Sequence, residues 1–362
     1  MKKSIVYIDS LKGIGAIIIA FYHISGLIGI PNSSLNLINK VMNILSDIGY
    51  IPVEMFFFFS GYLMIYNYSD RIKEIDFFEY IKKRIKLVYP FLFINIGACS
   101  LYIIISGGYI SFYQILYNIL FLQSGYFPGS GDFRIDVAGG GTWFLAPLFL
   151  SYAIFFYICK FRSEEKAFGL YSIIVLIGLI ALKNGWNYPI LNGYMLRGLL
   201  GFFVGCMFSV IVKKYGFKVS KSVILGIVII IISYISIIYR GEYINTLDFI
   251  IITDIVIIPC IILTFENILW IKKIFSFHIL KRIGTLSMQL FFLNLPVGYF
   301  FKLLISNNFS ITIFNQYVLY FICLFALSLL LDCILKKLRK LDKCKYLMKL
   351  QVLRNRILIW KS

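Results

Sequence analysis

The stretch "DSLKGIGAIIIAFYH", residues 9–23, places a lysine and a histidine in an otherwise apolar segment, in a chain with only two histidines. A neutral imidazole can take a proton from a hydroxyl or carry an acyl group. An ammonium can hold an anion or snorkel to water. Lys12 and His23 are eleven residues apart. On a helix that is about three turns, with an offset of about 20° and a rise of about 16 Å. Asp9 falls within about 40° of the same face. The three form one polar stripe leading to a single imidazole. The plainer alternative is a snorkelling Lys12 and one interhelical hydrogen bond to His23.

Other polar groups stand where lipid-facing residues would be apolar. Glu54, in "GYIPVEMFFFFSGYLMIYNY", can orient His23 or hold it charged; otherwise it is an interfacial glutamate. "EYIKKRIKLVYP" gathers Lys82, Lys83, Arg84 and Lys86 ahead of Pro90. Several cations at one site grip phosphates, or they only set membrane orientation. "GGGTWFLAPLFLSY" brings Trp143 to a membrane edge, where an indole anchors the chain or stacks on a sugar ring. "SMQLFFLNLPV" carries Gln289 and Asn294, and Asp248 and Asp254 lie in or near another apolar run. None of the four has a role fixed by its spacing. His278 reads as a solvated bystander in a basic loop. Ser60, Gly61, Gly201 and Gly205 read as close-packing positions.

The elements that must position these groups are membrane helices. The chain has 362 residues, 60% hydrophobic and only 15% charged, with a mean hydropathy of +0.85. That is too few charges to coat a water-facing surface. Ten apolar runs are expected to span a bilayer: 13–30, 51–66, 87–106, 143–159, 168–182, 196–212, 222–239, 247–265, 286–305 and 313–335. The runs are continuous and not alternating, so the expected class is an all-α polytopic bundle. The first is read as a retained helix, not a cleaved signal, because no small-residue cleavage site follows it.

The net charge of +19 does not indicate nucleic acid, since the basic residues sit between apolar runs and not on one soluble face. Counted on alternate sides, 30 of the 36 Lys and Arg fall on one side, Arg197 being among the other six. The positive-inside rule then puts both termini in the cytoplasm. Residues 107–142 form a long outer connection holding "FYQILYNILFLQSGYF", expected as an interfacial or re-entrant helix. Residues 1–335 are expected as the transmembrane domain and 336–362 as a basic amphipathic tail on the inner leaflet. The seven cysteines form no CxxC pair and read as small reduced hydrophobes. With two histidines no metal constellation can be assembled, so no metal is expected.

Together these segments resemble the acyltransferase family 3 membrane proteins. Lys12 and His23 match the family's basic-ten-residues-histidine spacing. "VEMFFFFSGYL" is similar to its acidic-aromatic-Ser-Gly motif, "KKRIKLVYP" to its basic cluster before Tyr-Pro, and "TWFLAPLFLSY" to a Trp-Phe-Leu variant of its fourth motif. Lysine stands at Lys12 where arginine is usual, and glutamate at Glu54 where aspartate is usual. Leu87 replaces a frequent second arginine, and Asn294 a frequent late histidine.

The resemblance implies an O-acyltransferase of the bacterial cytoplasmic membrane. Its donor would be an acyl-CoA, most simply acetyl-CoA, and its acceptor a hydroxyl of a surface polysaccharide or lipid-linked glycan. Lys83, Arg84 and Lys86 would hold the CoA phosphates, and its pantetheine arm would pass Lys12. His23 would act as general base or acyl carrier, with Glu54 orienting its ring. Trp143 and Asn294 are expected to meet the acceptor. The rival class is a transporter or flippase of a glycan, which ten helices with buried polar groups also suit. A purely structural partner of a glycan polymerase is the third.

Overall fold

A computed structural model describes residues 5–30, 36–69, 71–128, 135, 137, 141–240, 246–306 and 312–359, with side chains of the last helix given as far as Leu338. Lys2, Lys3 and Arg134, counted above in the charge balance, lie outside the described residues, as do the side chains of the basic tail and Cys344.

Among the described residues the regular elements are all helices, with no strands. In chain order the helices are α1 (Val6–Ile28), α2 (Asn36–Asp47), α3 (Ile51–Tyr68), α4 (Phe77–Ile105), α5 (Phe112–Ile119), α6 (Leu145–Phe161), α7 (Glu164–Lys183) and α8 (Gly193–Tyr215). They continue with α9 (Lys221–Arg240), α10 (Thr246–Ile252), α11 (Ile258–Asn267), α12 (Leu269–Phe275), α13 (His278–Thr285), α14 (Ser287–Ser306) and α15 (Ile313–Ile359). A π turn, Thr253–Ile257, joins α10 to α11 into one apolar span.

Among the described residues eight helices are long and apolar enough to cross a bilayer, or up to nine if a bent pair counts as one span. The expected ten differ in two places. The run at 51–66 lies in α3, which joins α2 at a 51° bend. The run at 143–159 yields α6, only 17 residues long. Outward faces such as Leu225, Ile229, Ile232 and Ile235 of α9 are exposed and apolar, the pattern of a lipid-facing helix. The expected interfacial segment forms α5, closed by a reciprocal Ser111–Gln114 capping box. The backbone of α15 runs as one helix from Ile313 to Ile359.

Two aromatic-rich cores fill the bundle. One is built on α3, α6, α7 and α8, the other on α1, α4, α14 and α15. Phe56, Phe144 and Phe291 pack against both and mark the seam, with Phe144 and Phe291 rings 4.7 Å apart. The tightest crossing is α3 on α8. A Cβ at Gly61 would sit 1.8 Å from the Phe202 carbonyl oxygen, and one at Gly205 2.1 Å from that of Phe58. Backbone therefore rests on backbone. Gly61→Ala is expected to cost about 1–3 kcal/mol by forcing the two helices apart. Thermal unfolding of the detergent-purified protein checks this.

The basic segments converge on one end of the bundle. Lys160 Nζ donates to Ile75 O at 2.7 Å, Lys213 to Ser69 Oγ at 3.3 Å, and Lys272 Nζ lies 5.6 Å from the Tyr7 ring. At the opposite end Lys183 pairs with Asp248, and Lys40 sits over the Tyr239 ring.

Candidate active site

The seam holds a row of three cavities. The first, about 290 Å³ at the basic end, is lined by Asp9, Lys12, Asn67, Lys83, Arg84 and Tyr152 among others. The second, about 180 Å³, shares Lys12, Ser60, Leu87 and Tyr152 with the first and is otherwise mainly apolar, with Phe56, Phe144 and Phe291 in its wall. The third, also about 180 Å³, is lined by Tyr22, His23, Trp143, Tyr194, Arg197 and Phe291. Phe291 is common to the second and third. The polar stripe of α1 thus faces the protein interior along its length, with Lys12 at one end of the row and His23 at the other.

Arg84 is held firmly at the basic mouth. Its Nη1 donates to Tyr80 O at 2.8 Å, and its guanidinium lies 3.7 Å from the Tyr80 ring and 4.4 Å from that of Tyr68. Lys83 is exposed and bonds to Glu79, one turn earlier, at 2.7 Å. Lys86 is exposed and is not in the wall of the mouth. Helical phase explains the difference, since Lys83 and Leu87 share a face four residues apart and Lys86 stands off it. Asp76 caps the start of this helix by accepting from Phe78 N and Glu79 N.

His23 Nδ1 lies 2.6 Å from Asn294 Oδ1. The Asn294 amide nitrogen donates to two backbone carbonyls, Leu290 O at 3.3 Å and Phe291 O. That fixes the amide so that its oxygen faces the ring. An amide oxygen only accepts, so Nδ1 carries a hydrogen, and in the neutral ring the lone pair then belongs to Nε2. Asn294 was expected against the acceptor; its amide is instead committed to His23 and to its own helix. Removing the acceptor by Asn294→Leu is expected to lower the rate of any chemistry at Nε2 about 10²-fold. Initial rates with purified protein check this.

The expected role of Glu54 is corrected by the same geometry. Asn294, not Glu54, meets the Nδ1 edge of the imidazole. Glu54 is fully buried, and its Oε1 accepts from Arg197 Nε at 2.8 Å and from Arg197 Nη2. It joins the site through Arg197, which lines the histidine cavity and lies 5.2 Å from the Trp143 ring. Sequence reasoning missed Arg197, counting it as a far-side charge. Its signal was a lone cation inside "NGYMLRGLLGFFVGC", where an unpaired guanidinium would be costly.

Two local networks set this end of the site. The start of α8 is capped by Asn192, whose Oδ1 accepts from Met195 N and whose Nδ2 donates to Gly125 O at 2.9 Å. Trp143 is pinned through its backbone. Ser124 Oγ donates to Trp143 O at 2.7 Å, Gln123 Nε2 to Thr142 O at 2.6 Å, and Thr142 Oγ1 to Asn118 Oδ1 at 2.9 Å. The long connection after α4 therefore builds the wall facing His23.

The fold and site define a class: a polytopic helical membrane protein in which cavities run from a basic mouth to a histidine held by an asparagine amide. A family model described as an acyltransferase domain (Acyl_transf_3) matches residues 5–336, nearly the whole chain, and the chain belongs to that family. Membership supports an acyltransferase activity in a lipid bilayer. No curated protein and no solved structure matches the chain.

Proposed function

We propose that the protein transfers an acyl group, most simply acetyl, from acyl-CoA to a hydroxyl of a surface polysaccharide or its lipid-linked precursor, in a bacterial cytoplasmic membrane. The observation that carries the reading is the row of cavities leading from a cationic mouth to an imidazole oriented by Asn294.

The residues fit a CoA thioester in three respects. Lys12, Lys83 and Arg84 offer positive charge at the mouth for phosphates. The second cavity is narrow and apolar, with hydroxyls of Ser60 and Tyr152 in its wall, which suits a pantetheine arm. The third cavity presents an indole and a guanidinium, groups that pack on and hydrogen-bond a sugar. When bound, the thioester supplies the activated acyl group. His23 Nε2 would take the proton of the acceptor hydroxyl as that oxygen attacks the thioester carbonyl, and give it to the CoA sulfur released when the C–S bond breaks; or it would itself take the acyl group, releasing CoA, before the hydroxyl displaces it. Asn294 holds the ring in the tautomer that both routes need. Phe291, between the second and third cavities, keeps bulk water from the reacting carbonyl. The excess of Lys and Arg at the mouth supports a cytoplasmic side for it, where CoA is found.

The test is incubation of purified protein with radiolabelled acetyl-CoA, alone and with a soluble glycan acceptor. The expected result is slow hydrolysis alone and label on the acceptor when it is present. Binding of CoA with neither outcome, or movement of glycan without transfer of label, would favour the transport reading.

A further inference from the structure

Glu54 has a second charged neighbour besides Arg197. Asp254 sits in the π turn between α10 and α11, where Ile258 N bonds to Thr253 O five residues back. Pro259, just beyond, has no N–H to continue the α-helical ladder, and π turns mark such insertions. Asp254 is fully buried. Its carboxylate lies against Gly201, where a Cβ would be 3.2 Å from Oδ2, and it is in electrostatic range of both Glu54 and Arg197.

The elements around the turn supply few other ionisable groups. α3 brings Glu54, α8 brings Arg197, and α9 brings Tyr234, whose hydroxyl is 2.5 Å from Thr253 Oγ1. α11 adds Cys260, and Asp248 of α10 is paired with Lys183. No described group donates to either oxygen of Asp254 or to Glu54 Oε2. Three carboxylate oxygens are thus buried without donors, and one guanidinium serves two acids. Two ionised acids would leave a net negative charge at membrane depth, which is costly. A buried water can fill lone pairs but cannot cancel that charge. A proton does both.

We propose that Glu54 and Asp254 share one proton, which makes the Glu54–Arg197–Asp254 cluster neutral and keeps the guanidinium in place beside the His23 cavity. Asp254 is then a positioning residue that acts through Arg197. The inference deepens the acyl-transfer reading, and its main test does not depend on that reading.

The test is infrared spectroscopy of the purified full-length protein near neutral pH, read at the carbonyl stretch of un-ionised carboxylic acids. Wild type minus Asp254→Asn is expected to show one such band. Glu54→Gln is expected to lose the same band, because the remaining Asp254 ionises against Arg197. Arg197→Gln is expected to double it, since both acids then take up protons; this third variant serves if either acid variant fails to fold. Absence of the band in wild type, as with a bound cation or two ionised acids, overturns the proposal. So does its persistence in Glu54→Gln, which would mean that Asp254 is protonated without sharing. The functional arm is the pH profile of acyl transfer, whose alkaline fall is expected to move to higher pH in Asp254→Asn. If wild type transfers no acyl group, the function proposed above fails while the infrared result stands on its own.

Discussion

His23→Ala is expected to lower acyl transfer by about 10³–10⁴-fold while leaving acyl-CoA binding within about twofold. The expectation rests on the separation of the two ends of the site. Lys12, Lys83 and Arg84 line the basic mouth, and His23 lines the third cavity, with Phe291 between. Truncating the imidazole removes the ring that Asn294 orients, without touching the cationic groups. Initial rates with labelled acetyl-CoA and calorimetric titration with CoA check the two halves separately. An active alanine variant would place the chemistry elsewhere. A variant that also fails to bind CoA would mean that the mouth and the imidazole are not separate sites.

Arg197→Leu is expected to destabilise the protein by about 3–5 kcal/mol, more than a typical surface charge change. Glu54 is fully buried and its Oε1 takes two donors from this one guanidinium. Without it, both Glu54 and Asp254 must take up protons or stay charged at membrane depth. The double variant Arg197→Leu with Glu54→Leu is expected to recover much of the loss, because a buried pair replaced by apolar groups is often tolerated where a broken pair is not. Thermal unfolding in detergent checks both. Equal stability of the single variant and wild type would show that the guanidinium does not hold the acid.

Features that depend on one helix alone were legible in the sequence. Apolar runs locate the spans, because lipid leaves backbone groups no partner but their own helix. The phase of α1 puts Lys12 and His23 on one inward face, and that requires no knowledge of the rest of the chain. Contacts between helices were not legible. Asn294 meets His23 across 271 residues of sequence, and Glu54 meets Arg197 across 143. Periodicity tells which side of a helix turns inward but not which helix stands opposite. Glu54 was therefore assigned to the imidazole instead of to Arg197. Lys86, beside Leu87 in sequence, is turned about 100° from it on the helix and stands outside the cavity wall.

The glycine crossing of α3 on α8 carries a mechanical consequence. At Gly61 and Gly205 the two helices meet backbone to backbone, with no side chain between them to act as a cushion. Neither helix can roll or slide by a fraction of a turn without driving a carbonyl into its neighbour. Glu54 and Arg197 therefore ride on a single stiff spar. Any widening that lets a bulky glycan reach the imidazole must come from the remaining walls, by movement of α1, α14 or the connection carrying Trp143 against that fixed edge.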